Sequence, residues 1–144
     1  MTSNEIGKVS DCYEFTIKSF KDVKGSLGVI EKSKEIPFIP KRTYYLYGVP
    51  KESIRGCHAH KNLQQVLFCP NGSCRVKIED RFGDNKIIYL NKPDKGLYVT
   101  SMIWRELDEF KKDTVFVCCA SNEYNVNDYI RSKEQFLKIR GDFD

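Results

Sequence analysis

The chain predicts an all-β fold, a sandwich or closed barrel of the jelly-roll type with one short C-terminal helix. Three observations carry this. Short runs rich in Val, Ile, Tyr, Phe and Cys recur at a spacing of roughly 8–12 residues. Turn signals such as Asn71-Gly72 and Gly83-Asp84-Asn85 separate them, and helical periodicity appears only near the end of the chain.

The expected strands cover residues 12–20, 27–32, 42–48, 56–60, 63–69, 73–80, 86–91, 96–100 and 113–121. β-branched and aromatic residues dominate them, and their lengths suit strands better than helices. Asn71-Gly72 tolerates positive φ and reads as a hairpin turn between 63–69 and 73–80; Gly83-Asp84-Asn85 reads as a second hairpin leading into 86–91. Val76-Lys77-Ile78-Glu79 alternates as a strand with one wet face should, whereas Val115–Ala120 is apolar throughout and reads as a central strand covered on both faces. The helix is expected to begin at Asn127–Arg131, with Tyr129, Ile130, Phe136 and Leu137 at helical spacing. No linker, repeat or low-complexity tract divides the chain, so residues 1–144 are expected to form a single domain.

Composition excludes several functions. Lys and Arg number 24 against 20 Asp and Glu, a net charge of +4, with no long like-charge run and no zinc-finger spacing. That balance disfavours nucleic acid and leaves room for a small anionic ligand. No window is apolar enough to span a membrane, and the N-terminus lacks the apolar stretch of a signal peptide. Six cysteines without any C-x-x-C pair read as reduced thiols of a cytoplasmic protein.

The two histidines stand one residue apart in Arg55-Gly56-Cys57-His58-Ala59-His60-Lys61. On a strand this spacing puts both imidazoles on one face, with Cys57 on the other. Such a pair suits metal binding or proton transfer. The run His58-x-His60-x4-Gln65-x6-Gly72 follows the first motif of the cupin barrels, with one departure: metal-binding cupins carry Glu where this chain has Gln65. The second cupin motif adds a third His, and this sequence has no other. Two imidazoles and a neutral amide are a poor ligand set, so no metal is expected.

Beyond that motif, an ordered set of segments from about Asp22 to Phe136 resembles the dTDP-sugar 3,4-ketoisomerases, metal-free cupins of the WxcM-like group. The strongest stretch is Arg55–Lys61 followed by Leu63, Gln65 and Asn71–Val76. Supporting pieces are Gly25-Ser26-Leu27 with Glu31, Ile36-Pro37-Phe38, Lys41-Arg42 with Tyr44-Tyr45, Gly96–Val99, Trp104-x-Glu106, Ala120-Ser121 with Tyr124, and Asp128–Arg131 with Phe136. The resemblance implies a cupin-type jelly-roll homodimer with a nucleotide sugar in each barrel mouth and no cofactor. It also implies a reaction that moves the keto group of dTDP-4-keto-6-deoxy-D-glucose from C4 to C3, feeding 3-amino-3,6-dideoxy sugar synthesis for a surface polysaccharide such as O-antigen or for a secondary metabolite.

That reaction needs a base for the C3 proton, an acid for C4 and stabilisation of an enediol(ate). His58 and His60 are the candidate acid and base, with His60 slightly favoured as base, and Tyr44 the candidate for positioning or oxygen protonation. Arg42 and Arg55 suit the diphosphate, because guanidinium groups bond phosphate oxygens in pairs. Gln65 shares the face of Leu63 and Leu67 and can bond a sugar hydroxyl or, alternatively, a histidine. Arg105, in an expected loop after Trp104, is a further sugar contact that can bias which face of C4 is protonated. Trp104 is expected in the core or rim, and Tyr129, Arg131 and the terminal helix are expected to pack across the barrel or the dimer. Competing readings are a dTDP-sugar 3,5-epimerase, a non-catalytic sugar-nucleotide-binding cupin and a metal-dependent oxygenase.

Overall fold

A computed structural model describes residues 6–139. Among them lie twelve strands and one α-helix. The strands are β1 (Tyr13–Thr16), β2 (Lys18–Asp22), β3 (Gly25–Val29), β4 (Arg42–Leu46), β5 (Arg55–His60), β6 (Gln65–Asn71), β7 (Cys74–Glu79), β8 (Asn85–Leu90), β9 (Lys95–Val99), β10 (Trp104–Asp108), β11 (Val115–Ala120) and β12 (Tyr129–Ile130); the helix is α1 (Lys133–Lys138). One five-stranded sheet runs β1-β9-β6-β11-β4, a second runs β12-β5-β10-β7-β8, and β2 and β3 form a separate hairpin. Every pairing is antiparallel, and the two large sheets face each other as a jelly-roll sandwich.

Period-two alternation explains the core. Leu67 and Cys69 of β6, Leu97 and Val99 of β9, and Phe116 and Cys118 of β11 point inward from one sheet; Val76 and Ile78 of β7, Ile88 and Leu90 of β8, and Leu107 of β10 meet them from the other. Two smaller clusters cover outer faces. Phe136 of α1 packs with Ala59, Met102, Trp104 and Ile130 behind the second sheet, while Ile36 and Phe38 lie over Val66 and Tyr98 behind the first. Trp104 and Glu106 share that outer face, and the Trp104 Nε1–H donates to Glu106 Oε2 at 2.9 Å, which accounts for their spacing.

Several elements differ from the sequence expectation. Asn71-Gly72 is not a hairpin: β6 pairs with β9 and β11, β7 with β8 and β10, so this turn carries the chain from one sheet to the other. Gly83-Asp84-Asn85 does close a hairpin, with Glu79 opposite Asn85. The stretch 12–20 breaks at Ile17 into β1 and β2, because the chain leaves the large sheet there for the separate hairpin. β11 has a strand on each side, yet Val115 and Val117 are only half-buried on its outer face. The helix starts later than Asn127, since Val126–Asp128 is a 3-10 turn and Ser132, whose Oγ accepts from the Gln135 N–H, caps α1. Residues 104–108 are a strand rather than a loop: β10 pairs with both β5 and β7. All six cysteines are free thiols, buried except Cys57. No helix among the described residues is long and apolar enough to cross a membrane.

Candidate active site

β5 sends His58 and His60 to the inner face of the sandwich, as their spacing requires. Both are buried, and their rings meet edge to face with centroids 4.7 Å apart. Cys57 points the other way and is exposed. Beside the pair opens a cavity of about 850 Å³, in the size range of small-molecule sites, with Arg42, Tyr44, Arg55, His58, Tyr129 and Arg131 in its wall. His58 is therefore the ring that meets the cavity, with His60 wholly buried beside it.

Strand register brings Arg42 and Tyr44 to the same cavity, whereas Gln65 and Arg105 are buried and do not line it. Arg42, Tyr44 and Leu46 share the inward face of β4 and all line the cavity. The Arg42 guanidinium lies over the Tyr44 ring at 5.1 Å and donates from Nη2 to the Tyr129 hydroxyl at 3.4 Å. The Tyr44 hydroxyl bonds the thiol of Cys118, its neighbour across β4 and β11, and burial pushes it well above the usual phenol range, so it stays protonated. Arg55 stands exposed at the rim, where Gly56, in a left-handed conformation at φ 67°, sits at the irregularity between β5 and β10. Gln65 is fully buried with neither side-chain polar atom bonded to protein.

Arg105 stands opposite His58 across β10 and β5, buried inside the sandwich, with Nε and Nη2 unpartnered. Burial lowers its pKa, though a guanidinium remains a cation. Burial also pushes His58 down to about 3, reinforced by the charges of Arg105, Arg131 and Arg42. His60 is lowered by burial, then by Arg105, His58, Arg42 and Arg131. The Asp128 carboxylate lies 3.0 Å from His60 Nδ1, a contact that a neutral ring carrying its hydrogen on that nitrogen can make. The Nε2 atoms of both histidines are buried without a partner.

Three residues join the site that the sequence placed elsewhere or passed over. Tyr129 packs on both imidazoles, with centroids 4.9 Å from His58 and 4.4 Å from His60. Arg131 stacks on Tyr129 at 4.3 Å and lines the cavity. Asp128 ends the 3-10 turn, Tyr129 follows on β12, which straps across β5 with Tyr129 opposite His60, and Arg131 comes directly after that strand. Their adjacency in Asp128–Arg131, next to the family-like Tyr124, was the only signal available. No group of three or more His, Cys, Asp or Glu side chains able to hold a metal converges among the described residues.

The chain is similar to known proteins over most of its length. The TDP-4-oxo-6-deoxy-alpha-D-glucose-3,4-oxoisomerase of Aneurinibacillus thermoaerophilus is 46% identical over 123 residues, covering 84% of this chain and 86% of that protein. A crystal structure of a 3,4-ketoisomerase from Helicobacter canadensis superposes with a TM-score of 0.84 at 39% identity, covering 89% of this chain and 96% of that one. A mutant of the 3,4-ketoisomerase QdtA from Thermoanaerobacterium thermosaccharolyticum, in complex with TDP-4-keto-6-deoxyglucose, superposes with a TM-score of 0.85 at 37% identity, covering 90% and 94%. The family model described as FdtA, WxcM-like, C-terminal, matches residues 10–141, most of the chain, and this protein belongs to that family.

Proposed function

We propose that this chain is a cofactor-independent isomerase that moves the keto group of dTDP-4-keto-6-deoxy-D-glucose from C4 to C3. The observation that carries the reading is the pair of packed neutral imidazoles, His58 in the wall of a cavity and His60 buried behind it, with Arg42, Arg55 and Arg131 in the same wall. Relatives that are 3,4-ketoisomerases over nearly this whole length support the same reaction rather than a 3,5-epimerisation or simple binding.

In the proposed mechanism the 4-ketone acidifies C3–H, and a neutral imidazole takes that proton, with His58 in direct reach. The electron pair moves into an enediolate. The resulting negative oxygen meets the Arg105 guanidinium, whose unpartnered N–H groups are costly to bury unless an anion accepts from them. Protonation at O4, loss of the O3 proton and protonation at C4 complete the shift, with His60 and the protonated Tyr44 hydroxyl as partners for oxygen. Gln65 offers both an N–H donor and a carbonyl acceptor to a sugar hydroxyl. Arg42 and Arg55 bind the diphosphate.

The protein acts in the cytoplasm as a homodimer of single-domain subunits. Free thiols suit a reducing compartment. Phe20 and Leu27, opposite each other in the β2–β3 hairpin, are 57% and 58% exposed, an apolar pair that a second copy would cover. The 3-keto product then serves 3-amino-3,6-dideoxy sugar synthesis.

Incubation of the substrate in D2O, followed by NMR, tests the reaction. Deuterium at C4 with the carbonyl moved to C3 is the expected result. Label at C3 and C5 would make the protein an epimerase, and unchanged substrate despite dTDP binding would make it a sensor. Activity retained after chelation separates this reaction from metal-dependent chemistry.

A further inference from the structure

Asp128 belongs to no part of the histidine motif and is separated from His60 by 68 residues, yet its Oδ2 lies 3.0 Å from His60 Nδ1. We infer that Asp128 is a positioning residue: it holds the proton of His60 on Nδ1 and so presents Nε2 as a bare lone pair inside the barrel. This role rests on the ketoisomerase reading, in which His60 exchanges protons with the sugar oxygens.

The carboxylate can only accept, so the nitrogen it faces must carry hydrogen. A neutral imidazole has one N–H, which leaves Nε2 unprotonated. That atom is buried and unpartnered, and the ring is wedged between His58 and Tyr129, so nothing on the protein competes for it. The carboxylate is itself fixed. Its Oδ1 accepts from the Asn62 N–H at 2.8 Å, its backbone carbonyl accepts from the Lys61 N–H at 2.9 Å, and its own N–H donates to the Asn125 carbonyl at 3.0 Å. The Asn125 side chain accepts from the Asn127 N–H and closes the 3-10 turn. A second bonding layer of this kind sets tautomer and ring orientation where histidine does chemistry.

A second cavity, about 520 Å³, reaches Asp128 and has Lys41, Asn62, Tyr124 and Asn125 in its wall, but neither histidine. It gives the test an unusual handle, because a small carboxylate can enter there when the Asp128 side chain is removed.

The experiment uses the full chain. Nitrogen-15 spectra of the histidine rings should show His60 protonated at Nδ1 and bare at Nε2. In Asp128→Asn the amide oxygen still accepts from Asn62 while the NH2 group donates to Nδ1, so the ring proton should move to Nε2. kcat should then fall about 100-fold or more, in line with the loss seen when a triad aspartate becomes asparagine. KM should change less than about threefold, because the lost interaction belongs to the chemical step. Asp128→Ala imposes no wrong tautomer, so it should retain more activity than Asp128→Asn and recover further with added formate, which Asp128→Asn should not. A merely structural role gives the opposite order, with alanine the worse variant and no rescue, and that result would overturn the inference. So would a wild-type His60 protonated at Nε2, or an unchanged ring tautomer in Asp128→Asn. The spectra need no turnover, so failure of the ketoisomerase reading, seen as no conversion by the unaltered protein, stays distinct from failure of this role.

Discussion

Arg105 and His58 face each other directly across β10 and β5, both buried, a permanent cation set beside an imidazole that must stay neutral to act as a base. The charge serves two ends: it disfavours protonation of His58 and waits for an oxyanion. Arg105→Met should therefore move the His58 pKa upward from about 3, read by NMR titration. It should also lower kcat by about 10²–10³, the usual loss when one oxyanion donor is removed. An unshifted His58 with full activity would mean that the guanidinium is only a filler of the core.

The histidines should be unequal. His58 lines the cavity and His60 does not, so His58→Asn should cost about 10³–10⁴ in kcat and His60→Asn about 10², within the span of general acid–base catalysis. Calorimetry with dTDP should show near-native affinity for both, since neither ring is assigned to the nucleotide. Equal losses would place both rings on the reacting carbon.

Much of this site is legible from strand periodicity. His58 with His60, and Arg42 with Tyr44, share inward faces because a period of two demands it. Arg105 reads as a loop residue because an inward-facing arginine breaks the apolar alternation that marks a strand; the pairing of β10 with its neighbours shows that Leu107 and Arg105 form its inner face. Asp128 and Tyr129 were hidden for another reason. Tyr129, Ile130, Phe136 and Leu137 fit helical spacing, whereas capping of the 3-10 turn by Asn125 and the long-range pairing with β5 decide their conformation. Local pattern carries no information about a partner 68 residues away.

Buried neutral histidines also set the acid stability. His58 has a folded pKa of about 3 against 6.5 when free. Between these values the unfolded chain binds a proton that the native state does not, so stability falls as pH drops below 6.5 and the loss is complete only near pH 3. At pH 4.5 this amounts to about 2–3 kcal/mol from His58. Urea unfolding at pH 7 and 4.5 should show at least that loss, and His58→Asn should remove its share while the share of buried His60 remains. Activity should show no acid limb near pH 6.5 in kcat/KM, because the free enzyme's base stays neutral there.

The β2–β3 hairpin supplies a test of assembly. Phe20 and Leu27 pair across it and are more than half exposed, while Lys18–Asp22 buries no side chain at all. A Phe20→Asp, Leu27→Asp double variant should sediment as a monomer, and the unaltered chain should sediment as a dimer. A monomeric unaltered chain would remove the hairpin from this role.

The turn at Asn71-Gly72 should tolerate a side chain poorly, because it carries the chain between sheets and packs closely on Thr114. Gly72 has φ 76°, and a Cβ there would come within 2.7 Å of Thr114 Cα. Thr114 cannot retreat: it is buried, and its Oγ1 accepts from the Ser73 N–H while donating to the Ser73 carbonyl, both at 3.1 Å. Gly83 supplies the control, since it also has positive φ, at 97°, but nothing lies within 4 Å of its would-be Cβ. Gly83→Ala should cost only the conformational penalty, about 1–2 kcal/mol. Gly72→Ala should cost that plus the displacement of Thr114, about 3 kcal/mol or more in total. Denaturant titrations of the two variants, with unchanged m-values, should separate the costs; equal losses would mean that the crossover yields as easily as an open turn.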